Sequence, residues 1–311
     1  MGFMTEKEII EKINTLKKEK NAVILTHNYQ LAEVQEIADF VGDSLELSIK
    51  ASQTDADVIL FCGVLFMAET AHILSPEKTV LLPVLESGCP MADMADAEGV
   101  RKLKAEHPDA VVMCYVNSTA EVKAECDLCV TSANAVKIVE SVPQDKKIIF
   151  VPDKNLGYYA QQQTGREMIM WPGFCPTHMR ITPEQIKRKR QEFPNAKVII
   201  HPESTLEAIA LADAALSTGG MCKFSKETDA KEIIAATESG LIYRLQKENP
   251  DKLFIPISEQ AVCPFMKLTR LEDVLESLEK MQHKITLPED IREKAKTPIE
   301  RMLELSKKLM N

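Results

Sequence analysis

Three Cys-Pro dipeptides recur along the chain, at Cys89-Pro90, Cys175-Pro176 and Cys263-Pro264, separated by 86 and then 88 residues. Each follows a short β-like run containing a proline (Pro83, Pro152 and Pro256). This regularity limits the chain to one structural unit used three times, each copy delivering one cysteine. Three thiolates meeting near a pseudo-threefold axis would hold a metal centre and leave one coordination position open.

The repeat extends beyond the cysteines. His27, Tyr115 and His201 end three apolar runs and are spaced by 88 and 86 residues. The same offsets relate Tyr29, Asn117 and Glu203, and likewise Glu33, Glu121 and Glu207. They also relate Asp39, Asp127 and Asp213, and Ser44, Ser132 and Thr218. Residues 118–124 (STAEVKA) and 204–210 (STLEAIA) read as one helix start. The period exceeds that of solenoid repeats, so each copy is a small domain.

Fully apolar runs such as Val58-Ile59-Leu60-Phe61 and Ile148-Ile149-Phe150-Val151 suit strands buried on both faces. Amphipathic stretches separate them, with Thr5, Thr182 and Thr269 as expected helix caps. The alternation predicts the α/β class: three pseudo-equivalent three-layer α/β/α domains with small parallel sheets, arranged around a pseudo-threefold axis. The expected domains are residues 1–92, 93–180 and 181–268, with 269–311 as C-terminal helices packing back on the first. Functional residues in such sheets gather beyond the carboxyl ends of the strands. His27, Tyr115 and His201 occupy those ends.

A net charge of −9 argues against a nucleic-acid partner. No run of eighteen apolar residues occurs and the N-terminus is charged from Glu6, so neither a membrane span nor a signal peptide is expected. Eight cysteines without export signals fit a reducing cytoplasm and a metal role better than a disulfide frame.

Thiolates are soft ligands for zinc or iron–sulfur clusters, and structural zinc usually takes close cysteine pairs. One cysteine per domain, at Cys89, Cys175 and Cys263, favours a 4Fe-4S cluster with one open iron acting as Lewis acid. The bland alternative makes them equivalent core cysteines. Of the rest, Cys62 and Cys114 read as core. Cys126 and Cys129 form a CxxC, but Ala38 and Ala212 stand at the equivalents of Cys126, which favours small-residue packing over a redox or metal role.

The second constellation is polar. His27 and Tyr29, Tyr115 and Asn117, and His201 and Glu203 lie two apart, so each pair points one way on an extended chain. Ser44, Ser132 and Thr218 begin the next turn or helix, where hydroxyls and N–H groups hold carboxylate or phosphate oxygens. Glu203 is the only carboxylate of the ring and the expected general acid or base, with His27 and His201 orienting substrate or moving protons, and Tyr29 and Tyr115 serving an oxyanion. His178, three residues after Cys175, is a candidate supporting residue. Singly, each of these also reads as a cap or loop residue.

The chain resembles the quinolinate synthase family over nearly its whole length. The resemblance rests on Thr26-His27-Asn28-Tyr29-Gln30, Val41-Gly42-Asp43-Ser44, Gly88-Cys89-Pro90-Met91-Ala92, Tyr115-Val116-Asn117-Ser118, Thr131-Ser132-Ala133-Asn134, Pro152-Asp153-Lys154-Asn155-Leu156-Gly157, His201-Pro202-Glu203-Ser204, Ser217-Thr218-Gly219-Gly220-Met221 and Cys263-Pro264-Phe265-Met266. It implies a transferase of NAD biosynthesis that condenses iminosuccinate (iminoaspartate) with dihydroxyacetone phosphate to quinolinate, phosphate and water. It implies a 4Fe-4S cluster on Cys89, Cys175 and Cys263. It carries iminosuccinate contacts over to His27, Ser44, Tyr115, Asn117, Ser132, His201, Glu203 and Thr218, and allows transient contact with the enzyme that supplies iminosuccinate. The C-terminal CxxC of some relatives is missing here. Rival readings are a cluster-dependent hydro-lyase and an iron–sulfur sensor or carrier.

Overall fold

The structure is a computed structural model and describes residues 4–310, save the side chain of Met310. The first copy runs α1 (Glu6–Glu19), β1 (Ala22–His27), α2 (Ala32–Glu36), β2 (Phe40–Gly42), α3 (Ser44–Gln53), β3 (Val58–Cys62), α4 (Leu65–Leu74) and β4 (Thr79–Leu81). The second runs α5 (Ala97–Glu106), β5 (Val111–Tyr115), α6 (Ala120–Ala124), β6 (Leu128–Val130), α7 (Ala135–Ser141), β7 (Ile148–Val151), α8 (Lys154–Thr164) and β8 (Met168–Met170). The third runs α9 (Pro183–Glu192), β9 (Lys197–Ile200), α10 (Leu206–Ile209), β10 (Ala214–Ala215), α11 (Thr218–Glu227), β11 (Glu232–Ala236), α12 (Leu241–Glu248) and β12 (Leu253–Pro256). Helices α13 (Leu271–Lys280) and α14 (Glu289–Met310) follow.

Each copy builds a four-stranded parallel sheet with one order, β2-β1-β3-β4, β6-β5-β7-β8 and β10-β9-β11-β12. The first strand of each copy is therefore central, and its carboxyl end opens where the order reverses, the place where such sheets bind ligands. The α/β class and the threefold use of one sheet design are as the sequence predicts.

The chain forms two compact units. One comprises the residues up to Cys89 together with 263–289; the other comprises 90–262 and the residues from 290 on. In the first unit, α13 packs on α1, and Val274, Leu275 and Leu278 join Ile9, Ile13, Ile24 and Leu60 in one core. Residues 283–285 lie along β4, with Leu82 N–H donating to the His283 carbonyl at 3.1 Å and Ile285 N–H to that of Val80 at 2.9 Å. This covers a sheet edge that would otherwise present unpaired backbone. In the second unit, Ile186, Val198, Ile200, Ile234 and Ile255 are among the core residues of the third copy. There α14 runs beside the second copy, Arg301 donating to the Asp127 carbonyl at 2.9 Å and Asn134 to Ser306 Oγ at 2.8 Å.

The registered aspartates are structural. Asp39, Asp127 and Asp213 each accept the N–H of a first-strand residue, from Ile24, Val112 and Val198 at 2.8, 2.9 and 2.8 Å. Each also pairs with a cation of the preceding helix, Lys17, Lys104 and Arg190 respectively, at 2.8, 2.9 and 2.7 Å. A second triplet is one the sequence reading missed. Lys78, Arg166 and Lys252 all reach back to carbonyls that end a helix: Thr54 and Ala56, Val142, Pro143 and Lys146, and Ser225 and Thr228.

Two expectations need correction. Thr5 and Thr182 cap their helices with full capping boxes, but Thr269 does not. Its hydroxyl is buried without a partner, and Arg270 N–H is instead taken by the Asp273 carboxylate at 2.8 Å. The strand that leads into Cys175 is β8, not the run ending at Pro152. Pro152 directly follows β7, and β8 escaped notice because it is three residues long and only half-buried.

Candidate active site

Each Cys-Pro is followed within two residues by a turn of 3-10 helix, at Ala92–Met94, His178–Arg180 and Phe265–Lys267. All eight cysteines are free. Cys89, Cys175 and Cys263 are the three that are partly accessible, whereas Cys62, Cys114, Cys126, Cys129 and Cys222 are buried. Accessibility thus follows the repeat.

In the first unit, His27 closes β1, and its ring meets Tyr29 edge-on at 4.7 Å. Tyr29 N–H donates to His27 Nδ1 at 3.2 Å. Lys267, four residues after Cys263, donates to the Tyr29 carbonyl, and Gln30 Nε2 lies 3.7 Å from Met266 Sδ. The loop that carries Cys263 is thereby tied to the end of β1. Ser44 is the first residue of α3, behind the capping carboxylate of Asp43.

The second unit holds a denser constellation. Tyr115 closes β5, and His201 follows β9 directly. The Tyr115 hydroxyl donates to Glu203 Oε1 at 2.6 Å. His178 Nδ1 lies 2.7 Å from Glu203 Oε2 and 3.2 Å from Cys175 Sγ, while its Nε2 lies 2.9 Å from Thr237 Oγ1. With its proton on Nδ1, His178 donates to the carboxylate and accepts from Thr237, while Cys175 Sγ stands beside the same N–H. His201 accepts the Glu203 N–H on Nδ1 at 3.3 Å, which leaves Nε2–H directed at Ser132 Oγ, 3.2 Å away. Asn155 fixes the backbone by donating to the Glu203 carbonyl at 3.0 Å.

Tyr115, His178, His201 and Glu203 are all buried. Burial drives the pKa of His201 down to about 3, with His178 adding to the shift and the Glu203 charge opposing it, so this imidazole is neutral. Burial alone would raise Glu203. The neighbouring histidines, together with hydrogen bonds from His178 and Tyr115, instead hold it below the usual carboxylate range. With His201 neutral, the two hydrogen bonds are what keep Glu203 ionised. Asp153, wholly buried nearby, goes the other way: burial and the Glu203 charge push it well above the carboxylate range.

Of the residues singled out from sequence, the second unit brings Tyr115, Ser132, Cys175, His201 and Glu203 into one connected set, with His178 at its hub. Thr218 is the first residue of α11, behind the capping hydroxyl of Ser217. Asn117 lies two residues past β5, and its Oδ1 is buried with no partner, as expected of a group that meets a ligand. Thr237 was missed, and Asn155 was read only as part of the Pro152–Gly157 motif, with no role assigned. Cys175, His178 and Glu203 also offer ligand atoms within 4.8 Å of one another, a possible metal position. No described helix is long and apolar enough to cross a membrane.

An ionised carboxylate held by a tyrosine and a histidine, beside an accessible thiol and at the ends of parallel strands, is the arrangement of an α/β enzyme with groups that could hold a metal. Comparison with known proteins makes the class specific. The family described as Quinolinate synthetase A protein matches residues 11–304. A quinolinate synthase of Dehalococcoides mccartyi is 59% identical over 298 residues, covering 96% of this chain and 98% of that one. Those of Geotalea uraniireducens and Methanosarcina barkeri are 54% and 52% identical, each over 96% of this chain and 98% of theirs. The chain belongs to the quinolinate synthetase A family.

Proposed function

We propose that this enzyme is a quinolinate synthase acting in the cytoplasm. It condenses iminosuccinate with dihydroxyacetone phosphate to quinolinate, phosphate and water for NAD biosynthesis. The observation that carries the reading is family membership across almost the whole chain, joined to a buried Glu203 poised for proton transfer.

Cys89, Cys175 and Cys263 would hold a 4Fe-4S cluster. Their partial exposure among eight free cysteines, and their shared place before a 3-10 turn, fit that group. When bound, the cluster supplies a Lewis-acidic iron to the substrate's oxygens. The domains proposed for its three ligands are residues 1–92, 93–180 and 181–268, with α13 packed on the first and α14 beside the second copy.

The side chains supply the rest. His27 and His201 each commit Nδ1 to a backbone N–H, so each presents Nε2–H as a hydrogen-bond donor to substrate carboxylate oxygens. Ser44, Ser132 and Thr218 sit at or just before helix starts, where hydroxyl and N–H groups hold oxyanions without a basic patch. Asn117 Oδ1 offers an acceptor to the imine N–H. Glu203 takes and returns protons during condensation and dehydration, while Tyr115 and the chain Thr237–His178–Glu203 stabilise its changes of charge. Tyr29 stands beside His27 as a further hydroxyl for a substrate oxygen. The enzyme that supplies iminosuccinate is a transient partner.

The test is anaerobic reconstitution with iron and sulfide, then assay with both substrates. Quinolinate should form, with iron and sulfide bound. A loaded protein that yields no quinolinate, or that dehydrates a hydroxy acid instead, would overturn the reading.

A further inference from the structure

Cys114, Cys126 and Cys129 have no task in the proposed reaction, yet they gather at one edge of the second sheet. Cys114 on β5 and Cys129 on the edge strand β6 are direct Cα partners in the parallel register. Cys126 lies on the turn before β6, its Sγ 3.1 Å from the Val122 carbonyl. Cys114 and Cys129 are wholly buried, and Cys126 is 8% exposed.

Lys123 is buried with them, and its Nζ donates to the Ser118 carbonyl at 2.6 Å. The first copy provides an internal control. There the equivalents, 88 residues earlier, are Gln35 and Gln30, and Gln35 Nε2 donates to the Gln30 carbonyl at 2.9 Å. A neutral amide is therefore enough for that carbonyl. The second copy uses a lysine there instead. In the first copy Thr26, Ala38 and Val41 stand where Cys114, Cys126 and Cys129 stand here. The charge and the thiols occur together.

The electrostatics agree. The Lys123 charge acts on both Cys114 and Cys129. Burial opposes ionisation of Cys114, but hydrogen bonds from Cys126, Cys129 and Ser118, with the Lys123 charge, hold it well below the usual thiol range. Cys126 and Cys129 are pushed up. Cys62, equally buried in the first sheet beside the Thr26 hydroxyl, is pushed up to about 12 by burial.

We propose that Cys114 and Lys123 form a thiolate–ammonium pair, and that Cys114 is an oxidative modification site that closes a disulfide with Cys129. Neighbouring strands lie ~4.8 Å apart, within the ~4.4–6.8 Å that a disulfide spans between Cα atoms. The oxidant class is a peroxide. The Cys114 sulfur attacks one peroxide oxygen, the O–O bond breaks, and hydroxide leaves from a sulfenic acid. The Cys129 thiol then attacks that sulfur, forming the S–S bond and releasing water. Two electrons pass from the sulfurs to hydrogen peroxide, and solvent protonates the hydroxide. β6 is a three-residue edge strand and α6 has five residues, and peroxide would reach the buried sulfur by local opening of this short segment. Cys114 immediately precedes Tyr115, so the bond acts on the backbone that aims the tyrosine at Glu203.

The full chain, carrying its cluster, is treated anaerobically with stoichiometric hydrogen peroxide, alkylated and digested with trypsin. Cleavage after Lys123 puts Cys114 in residues 105–123, and Cys126 with Cys129 in 124–137. The linked peptide pair should appear in wild type and in Cys126→Ser, and be abolished in Cys129→Ser. Lys123→Gln lacks that cleavage site, so it is made on Cys126→Ser and both are digested with Asp-N, which cuts before Asp127 and puts Cys114 in 109–126 and Cys129 in 127–144. The link should form at least about 10-fold more slowly in Lys123→Gln, where the thiolate fraction drops. Lys123→Gln installs the first copy's own solution, and a thermal melt checks that it folds; the two serine variants stand without it. Failure of the link to form in wild type, its survival in Cys129→Ser, or an unchanged rate in folded Lys123→Gln overturns the proposal.

Discussion

His27 and His201 use the same ring nitrogen in the same way, each accepting a backbone N–H from two residues on. Neither imidazole then has a free lone pair with which to take a proton from substrate, which fits the proposal that Glu203 is the base. Glu203→Gln should therefore lower kcat by about 100- to 10,000-fold while leaving KM within a few-fold, as steady-state kinetics on loaded enzyme would show. His201 gives a stability prediction. The fold favours its neutral form, so its contribution is complete above the unfolded pKa of about 6.5 and is lost as pH falls from there toward 3. Urea melts of His201→Asn against wild type should show the wild-type deficit growing by about 1.4 kcal/mol per pH unit below ~6.5. The strand-end residues were legible because the repeat picks them out. His178 is harder to read, because its equivalents are Ala92 and Met266, so the most connected residue of the site stands outside the registry.

At the scale of elements, each copy is closed by two charged clasps. One is the aspartate that takes a strand N–H and a helix cation; the other is the cation that gathers loose carbonyls. The first was visible in sequence as a conserved spacing of like residues within the chain. The second was not, because Lys78 and Lys252 alternate with Arg166 and none lies in an apolar pattern. Lys252→Met leaves two carbonyls without their donor. It should cost about 1–3 kcal/mol in chemical denaturation, with turnover of the folded enzyme unchanged. The apolar strands were readable because both faces are buried. β8 was not, since three half-buried residues carry too little periodicity.

For the whole molecule, the repeat assigns two fates to cysteine. Three occupy the loops after the fourth strand of each copy and meet solvent; five lie buried. Serine at Cys89, Cys175 or Cys263 should abolish iron binding in reconstituted protein, whereas serine at Cys62 should leave the iron and sulfide content intact. Retention of a full complement in Cys175→Ser would contradict the ligand set.

Near the end of the chain, Ser306 holds the Asn134 amide at 2.8 Å, and Asn134 Oδ1 in turn accepts the Thr131 N–H at 2.6 Å, one residue from Ser132. The final helical turn is thus a tether on the loop that carries Ser132, a proposed substrate contact. Trimming by a protease at that end would loosen the grip on iminosuccinate before it unfolds anything. A chain shortened after residue 304 should show a raised KM for that substrate at nearly constant melting temperature.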